Sequence, residues 1–146
     1  GLRSAKLIIS DKSLGILEAL GDFFPEAHWQ RCAVHFYRNV LSAVPDSKSR
    51  KVAAMLKAIH AQEDREAARV KVRMVTEKLK ELKLGKAAAL VEGGAEETFS
   101  YYDFPQTHWR SIRTNNPLER VNRELRKRTR IVGNFPDGKS ACKAKV

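Results

Sequence analysis

The hydrophobic positions of the first 36 residues predict a strand, a helix and a second strand. Residues 5–10, AKLIIS, are apolar and rich in β-branched side chains, which is typical of a buried strand, and the run stops at Asp11. Residues 14–24 repeat apolar side chains at helical spacing, and Pro25 ends that predicted helix. Residues 29–36, WQRCAVHF, predict the second strand. This order indicates two parallel strands joined by a crossover helix.

Helical periodicity replaces this pattern from about residue 37 to residue 100. Pro45 breaks the periodicity, and Asp46 or Ser47 is the predicted cap of the helix that follows. Gly85 predicts the end of a second long helix. The two apolar stripes consist of Val52, Met55, Leu56 and Ile59, and of Ala67, Val70, Met74, Val75, Leu79 and Leu82. The charged residues between the stripes are typical of solvated helix faces.

A last helix is predicted after a connector that is rich in turn-forming and aromatic residues. Its buried stripe should contain Leu118, Val121 and Leu125, and Gly133 should end it. The whole pattern predicts an α/β protein that is mostly helical. It divides into a strand–helix–strand region 1–36, a helical region 37–110, a helix-bearing region 111–134 and a loosely ordered basic tail 135–146.

The charge of the chain indicates what kind of partner it binds. A net charge of +11 over 146 residues indicates a polyanionic partner, with nucleic acid ahead of an acidic membrane surface. Residues 110–130 hold eight Lys or Arg and two Glu, hence +6, more than half of the total. The predicted DNA-binding residues in this segment are Arg113, Arg120, Arg123, Arg126, Lys127, Arg128 and Arg130.

Compartment and membrane association follow from residue usage. No apolar run approaches the roughly 18 residues of a membrane span, so no span is predicted. Cys32 and Cys142 are far apart in unlike contexts, which favours a reduced intracellular protein.

Asp11 is the first candidate for chemistry, because it follows a predicted strand. Ligands of open α/β sheets bind beyond the carboxyl ends of the strands, where a carboxylate suits a hard cation such as Mg²⁺. Alternatively, Asp11 caps the helix that starts near Ser13. Position alone leaves both interpretations open.

Glu119 is the second candidate, in the first turn of the last helix. With Asn116 as N-cap and Pro117 at the first helical position, Glu119 completes a capping box worth about 1 kcal/mol. Helical geometry also places Glu119 at the head of a row containing Arg123, Arg126 and Arg130. The carboxylate could bind a metal while the guanidiniums bind phosphates. Taken alone, the residues favour capping, although the two roles are compatible.

Cys32 and His35 have half of a zinc-ligand spacing. A structural zinc site needs four ligands, and no second pair in the chain has matching spacing. A buried cysteine and a hydrogen-bonded histidine are the simpler interpretation.

Three stretches resemble the mutator-type transposase family of bacterial insertion sequences. LIISDKSLGI, residues 7–16, is similar to the strand that carries the family's second catalytic Asp. FPEAHWQRCAVHFYRNVLSAVP, residues 24–45, is similar to its FP-x-A-x-WQRC-x-VH-x-x-RN signature. HWRSIRTNNPLERVNRELRKRTRIVGNFPDG, residues 108–138, is similar to the block around the catalytic Glu.

The resemblance implies a partial ribonuclease-H-like fold, with an all-helical insertion between the second Asp and the Glu. Asp11 would then be the second acid of an Asp-Asp-Glu triad and Glu119 the third. Cys32 and His35 match a Cys-x-x-His element beside that triad. Three carboxylates of this kind hold two Mg²⁺ or Mn²⁺ ions about 4 Å apart, which activate water or a DNA 3′-OH and stabilise the leaving oxygen.

The resemblance also implies partners and a location. The expected partners are the transposon ends and the target DNA, and the full-length protein is expected to be a homo-oligomer in the bacterial cytoplasm, associated with the nucleoid and not with a membrane.

Departures from the family pattern suggest a fragment. The first Asp of the triad is expected upstream of Gly1, Ser13 stands where the family has His, and ACKAKV replaces an apolar helix. We therefore expect no strand transfer from this chain alone. The alternatives are a non-catalytic basic DNA-binding module or regulator derived from a transposase, and a zinc-stabilised helical domain.

Overall fold

The structure is a computed structural model that describes residues 4–132, except for the side chains of residues 14, 116–118 and 128–132. The chain forms two compact units, the first ending at Thr114 and the second beginning at Asn115. Residues 4–132 contain seven α-helices and two strands, which confirms the predicted mostly helical α/β class.

A parallel strand pair opens the first unit. Strand β1 (Leu7–Ser10) is followed by helix α1 (Leu14–Phe23) and strand β2 (His28–Arg31). The strands pair in parallel register, with Ile9 opposite Gln30, as the strand–helix–strand pattern predicts. The expectation of a buried strand is met in full only at Ser10, whereas Leu7, Ile8 and Ile9 are partly buried. A parallel strand is fully buried only when other elements cover both faces of its sheet, and the sheet within residues 4–132 consists of β1 and β2 alone.

The predicted second strand is half wrong, because its second half is helical. Strand β2 ends at Arg31, and helix α2 (Ala33–Leu41) begins two residues later. Helix α2 buries Ala33, Phe36 and Val40 at intervals of three and four residues, a helical spacing. A short mixed segment does not separate these alternatives, and the buried helical face decides between them.

Three longer helices pack with α2 around the main hydrophobic core. They are α3 (Asp46–Ile59), α4 (Arg65–Glu81) and α5 (Gly85–Gly94). The fully buried members of this core, all at 0% exposure, are Phe36, Val40, Val52, Leu56, Ile59, Ala68, Leu79, Ala87 and Val91. The predicted stripe of α3 is therefore confirmed at Val52, Leu56 and Ile59.

The predicted stripe of α4 is confirmed at Val75 and Leu79, which are buried. It is wrong at Val70, 41% exposed, and at Met74, 58% exposed, whereas Ala68, outside the stripe, is buried. The sequence has apolar residues on two sides of this helix, and only one side faces α3 and α5. An exposed large apolar side chain is common on folded proteins, so apolarity alone does not fix the buried face.

Two predicted helix ends are also corrected. Pro45 occupies the N-cap position of α3, in place of Asp46 or Ser47, and Asp46 is the first helical residue. Gly85 begins α5, whereas α4 has already ended at Glu81. Lys83 lies between them with φ 58°, the left-handed conformation that a glycine usually supplies.

The predicted connector contains regular structure. Two 3₁₀ turns, Glu96–Thr98 and Ser100–Asp103, lead to helix α6 (Gln106–Ile112). The Trp109 indole N–H donates to the Phe104 carbonyl at 2.7 Å, which ties α6 to the preceding turn.

The second unit contains helix α7 (Asn116–Val132), as the last apolar pattern predicts. Val121 is 55% exposed, so the expectation that it is buried is wrong. A stripe identifies the apolar face of a helix, but it does not say what covers that face. The predicted tail, residues 135–146, lies outside the described residues.

Candidate functional site

Asp11 follows the last residue of β1 and is exposed. Ser13, with extended backbone angles, is the N-cap residue of α1, so the structure does not place Asp11 there. Asp11 contributes its backbone carbonyl, which accepts hydrogen bonds from the Ser13 N–H at 3.1 Å and from Ser10 Oγ at 2.8 Å. These bonds hold the backbone on both sides of Asp11.

Ser10 connects the end of β1 to the start of α2. Its hydroxyl accepts a hydrogen bond from the Trp29 indole N–H at 2.9 Å, and its carbonyl accepts one from the Cys32 N–H at 2.7 Å. The residue before Asp11 and the residue that begins the Cys-x-x-His element are therefore directly bonded. The structure thus brings Asp11 and Cys32 to the same edge of the strand pair.

An ion-pair cluster lies beside Asp11. The Glu97 carboxylate, on the first 3₁₀ turn, contacts the Lys12 ammonium through one oxygen and the Arg31 guanidinium, at 3.3 Å, through the other. The Arg31 guanidinium also lies 5.6 Å from the centre of the Phe36 ring. Glu97 offsets part of the positive charge of these two cations, one of which, Lys12, follows Asp11 in the sequence.

Cys32 and His35 lie in the first turn of α2. Cys32 is the N-cap residue of this helix, is fully buried, and accepts a hydrogen bond at its carbonyl from the Phe36 N–H at 3.0 Å. Within residues 4–132, no group of three His, Cys, Asp or Glu side chains is placed to hold a metal ion. Cys142, a possible further ligand, lies outside the described residues. The interpretation of Cys32 as a buried structural cysteine therefore agrees with its burial.

Glu119 lies in the first turn of α7, in the second unit. Its backbone N–H donates to the Asn115 carbonyl at 3.1 Å, which makes Asn115 the N-cap residue. The predicted capping box assigned this position to Asn116, so the register is one residue earlier than expected. Glu119 is then the fourth helical residue, whereas the acid of a capping box occupies the third. Glu119 is half-buried.

The basic residues of α7 are largely exposed. Arg120, Arg123, Arg126 and Lys127 are all exposed, and Lys127 pairs with Glu124 at 3.1 Å. The side chains of Arg128 and Arg130, which are also predicted DNA contacts, lie outside the described part of the chain. The exposed guanidiniums of Arg120 and Arg123 lie on one helix, where they can contact phosphates.

Arg113 differs from the other predicted DNA contacts, because it belongs to the first unit and makes an internal contact. Its Nη1 donates to the His60 carbonyl at 3.0 Å, and its own carbonyl accepts a hydrogen bond from the Ala33 N–H at 3.2 Å. The sequence offered only its charge, which does not distinguish a structural arginine from one that binds phosphate.

The sequence pattern did not identify two polar residues of the first unit, Gln30 and Glu97. Gln30 is a fully buried amide in β2 that forms hydrogen bonds with two distant parts of the chain. The signal for Gln30 was a polar residue at the centre of a predicted strand, since buried amides need partners. Glu97 gave no such signal within its charged helical surroundings.

Comparison with known proteins identifies the family. The sequence model of the transposases of the mutator family matches residues 1–145. The transposase for insertion sequence element IS1081 of Mycobacterium tuberculosis is 36% identical over 137 residues, which cover 94% of this chain and 33% of that protein. The transposase for IS256 in transposon Tn4001 of Staphylococcus aureus is 34% identical over 142 residues, 97% of this chain and 36% of that protein.

A third relative agrees with these two. The transposase for insertion sequence element IS406 of Burkholderia multivorans is 38% identical over 145 residues, 98% of this chain and 37% of that protein. The chain thus spans about a third of the length of these curated relatives. The helices within residues 4–132 include none with the length and apolarity needed to span a bilayer. By sequence, this chain belongs to the mutator family of transposases.

Proposed function

We propose that this chain forms the C-terminal part of a transposase catalytic domain, in which Asp11 and Glu119 are two of three metal-binding carboxylates. The observation that carries the proposal is the position of Asp11, exposed at the carboxyl end of β1 in a parallel pair, in a chain of the mutator family. Ligands of open α/β sheets bind at such strand ends. The role of Glu119 rests on the family motif and on its place in the first turn of α7.

A ribonuclease-H-like core interrupted by a helical insertion is part of this proposal. Its support is the crossover between β1 and β2, followed by the helices α2 to α6 before Glu119 is reached. The boundaries 1–36, 37–110, 111–134 and 135–146 stay a prediction for the regions of this domain.

The donor chemistry of the two carboxylates fits a divalent cation. Carboxylate oxygens are preferred ligands of Mg²⁺ and Mn²⁺. We propose that a further carboxylate of the complete transposase, the first Asp of the family's triad, completes the site. When bound, the cation supplies Lewis-acid activation of the attacking oxygen. Asp11 and Glu119 would hold it, and Cys32 with His35 would shape the neighbouring surface.

DNA is the proposed partner, through the basic residues of α7. The net charge of +11 and the exposed side chains of Arg120, Arg123 and Arg126 support this choice. Their guanidiniums would orient the phosphodiester backbone relative to Glu119, which lies in the first turn of the same helix. The complete transposase would act on its transposon ends and target DNA in the bacterial cytoplasm, and the homo-oligomeric state stays a prediction.

Mn²⁺ titration followed by electron paramagnetic resonance tests the metal site. Asp11→Asn and Glu119→Gln should each weaken Mn²⁺ binding by about tenfold, because each removes a charged ligand. The matched controls are Asp22→Asn, an exposed acid on α1, and Glu124→Gln, an exposed acid on α7. If all four variants bind Mn²⁺ equally, the proposed metal site is excluded. The second candidate function, a non-catalytic DNA-binding module, would then remain.

The purified chain should not nick or join DNA by itself, since it supplies two of the three carboxylates. A supercoiled plasmid incubated with the chain and Mg²⁺ should therefore stay intact. Nicking that requires Mg²⁺ and disappears in Glu119→Gln would show that the chain is active alone.

A further inference from the structure

Gln30 joins three segments of the first unit through one buried side chain. Its Nε2 donates to the Ile112 carbonyl at 2.8 Å, and its Oε1 accepts a hydrogen bond from the Tyr101 N–H at 2.6 Å. The two partners lie 82 and 71 residues away in the sequence. Gln30 is 0% exposed, and its bond to the Tyr101 N–H is buried, so losing that bond leaves a buried polar group without a partner.

The segment that Gln30 holds is also bonded at the next residue. The Arg113 carbonyl accepts a hydrogen bond from the Ala33 N–H at 3.2 Å, and Arg113 Nη1 donates to the His60 carbonyl at 3.0 Å. Consecutive residues, Ile112 and Arg113, are thus fixed to β2, to α2 and to the end of α3. Gln30 and Arg113 each take part in two of these hydrogen bonds, and together the four bonds form the anchor of the connector between α6 and α7.

The anchor lies within the first unit, next to the strand pair that presents Asp11. Gln30 is opposite Ile9 in the parallel register, and Asp11 follows β1 two residues after Ile9. Along the chain, Glu119 comes six residues after Arg113. The anchor therefore holds the backbone immediately before the connector that leads to Glu119.

We propose that Gln30 is a positioning residue, which ties the strand pair that presents Asp11 to the connector that leads to Glu119. The inference rests on the proposed function, because it concerns the assembly of the same carboxylates. Gln30 itself would touch neither metal nor DNA. Its effect would pass through the Ile112 carbonyl and the backbone that follows.

A glutamine is suited to this position because the amide donates and accepts at the same time. Methionine has a similar length but makes neither bond, and it leaves the Tyr101 N–H buried and the Ile112 carbonyl part-buried without these partners. Arg113→Met removes a different bond of the same anchor and leaves Gln30 intact. The two variants therefore test the anchor independently, and the second keeps the test open should Gln30→Met fail to fold.

The first measurement is amide hydrogen exchange of the purified chain without metal. In Gln30→Met and Arg113→Met, exchange at residues 112–119 should accelerate by about tenfold or more, while exchange in α3 and α4 changes little. The control is Val75→Ala, a buried substitution in α4 that lowers stability without touching the connector. Uniform acceleration along the whole chain, or no change at residues 112–119, would overturn the inference.

The second measurement is Mn²⁺ affinity at a temperature at which every variant is folded. Gln30→Met should weaken Mn²⁺ binding by about tenfold, the size of effect expected when a group that orients metal ligands is lost. Val75→Ala should bind like the unmodified chain, which separates positioning from general destabilisation. Unchanged affinity in Gln30→Met would overturn the inference alone. Mn²⁺ binding by the unmodified chain that is insensitive to Asp11→Asn would instead overturn the proposed function and this inference with it.

Discussion

At the scale of single residues, His60 has the most constrained chemistry in the first unit. Its Nδ1 lies 2.8 Å from the Tyr37 hydroxyl, and its Nε2 lies 2.7 Å from Thr98 Oγ1. The Thr98 hydroxyl donates to the Ala95 carbonyl at 2.6 Å, so it must accept from His60 Nε2–H. The Tyr37 hydroxyl then donates to Nδ1. These bonds require the neutral imidazole, because a protonated ring would have a hydrogen where Tyr37 donates.

Acid should therefore weaken the fold through His60. Burial, with a smaller contribution from the positive charge of Arg113, lowers the pKa of His60 from 6.5 to about 4. Because the folded pKa is depressed, the unfolded chain binds the proton first as the pH falls below 6.5, and folding stability declines until the pH reaches about 4. This single group should account for a loss of about 2 kcal/mol between about pH 7 and about pH 5.

Urea denaturation at the two pH values measures the effect. His60→Gln lowers stability at both, but it should reduce the pH-dependent loss by about 2 kcal/mol relative to the unmodified chain. His108→Gln, at an exposed histidine, is the matched control and should leave that loss unchanged. An equal pH dependence in the chain and in His60→Gln would exclude His60 as its source.

At the scale of elements, the end of α4 shows how the fold tolerates a strained residue. The Leu84 N–H donates to the Leu79 carbonyl and the Lys83 N–H to the Lys80 carbonyl, both at 2.9 Å. These are the two bonds of a Schellman motif, whose left-handed position usually holds glycine. Here Lys83 occupies it with φ 58°, although a side chain in this conformation costs about 1–2 kcal/mol.

Lys83→Gly should therefore stabilise the first unit by about 1 kcal/mol, since glycine adopts this conformation without the Cβ clash. Thermal unfolding followed by circular dichroism should show a rise in Tm of about 4 °C. Arg73→Gly, at an exposed position inside α4, should lower stability by about 1 kcal/mol. A fall in Tm for Lys83→Gly would mean that the lysine side chain contributes more than its backbone strain costs.

Element predictions succeeded where the apolar spacing identified one buried face, and they failed at some helix ends and on one side of α4. The stripe of α3 and the pair β1–β2 followed from spacing, whereas α2 did not, because residues 29–36 are too short to show a period. Helix α6 was hidden among turn formers and aromatics. Its indole bond to Phe104 is a tertiary contact that a local pattern does not contain.

The candidate site was predictable only in its charged members. Asp11 was identified by its position at a strand end, and Glu119 by its motif. In the structure, Asp11 is exposed and Glu119 is half-buried. The one-residue shift of the N-cap to Asn115 lies within the usual uncertainty of helix boundaries. Gln30 could not be found from charge or period, because its importance depends on Tyr101 and Ile112, which are distant in the sequence.

At the scale of the whole molecule, positive charge is the dominant property. The net charge of +11 has its densest part in residues 110–130, of which α7 is the main element. The first unit carries many cations too, but several of them pair with neighbouring acids, as Arg69 does with Glu96 at 2.6 Å. Paired surface cations release fewer counterions when DNA binds, so they should contribute less to the salt dependence of affinity.

The salt dependence of DNA binding should therefore change more for α7 than for α4. Each of Arg120→Gln and Arg123→Gln, which are exposed on α7, should lower the slope of log Kd against log salt by about 1, as expected for the loss of one phosphate contact. Lys80→Gln is the matched control, because Lys80 is exposed on α4 and pairs with Glu77 at 3.1 Å. Fluorescence anisotropy with a labelled duplex between about 50 and 200 mM KCl measures these slopes. Equal slopes for the α7 variants and Lys80→Gln would mean that the whole surface attracts DNA without a defined contact. A smaller slope for the α7 variants alone would place the DNA backbone along the helix whose first turn contains Glu119.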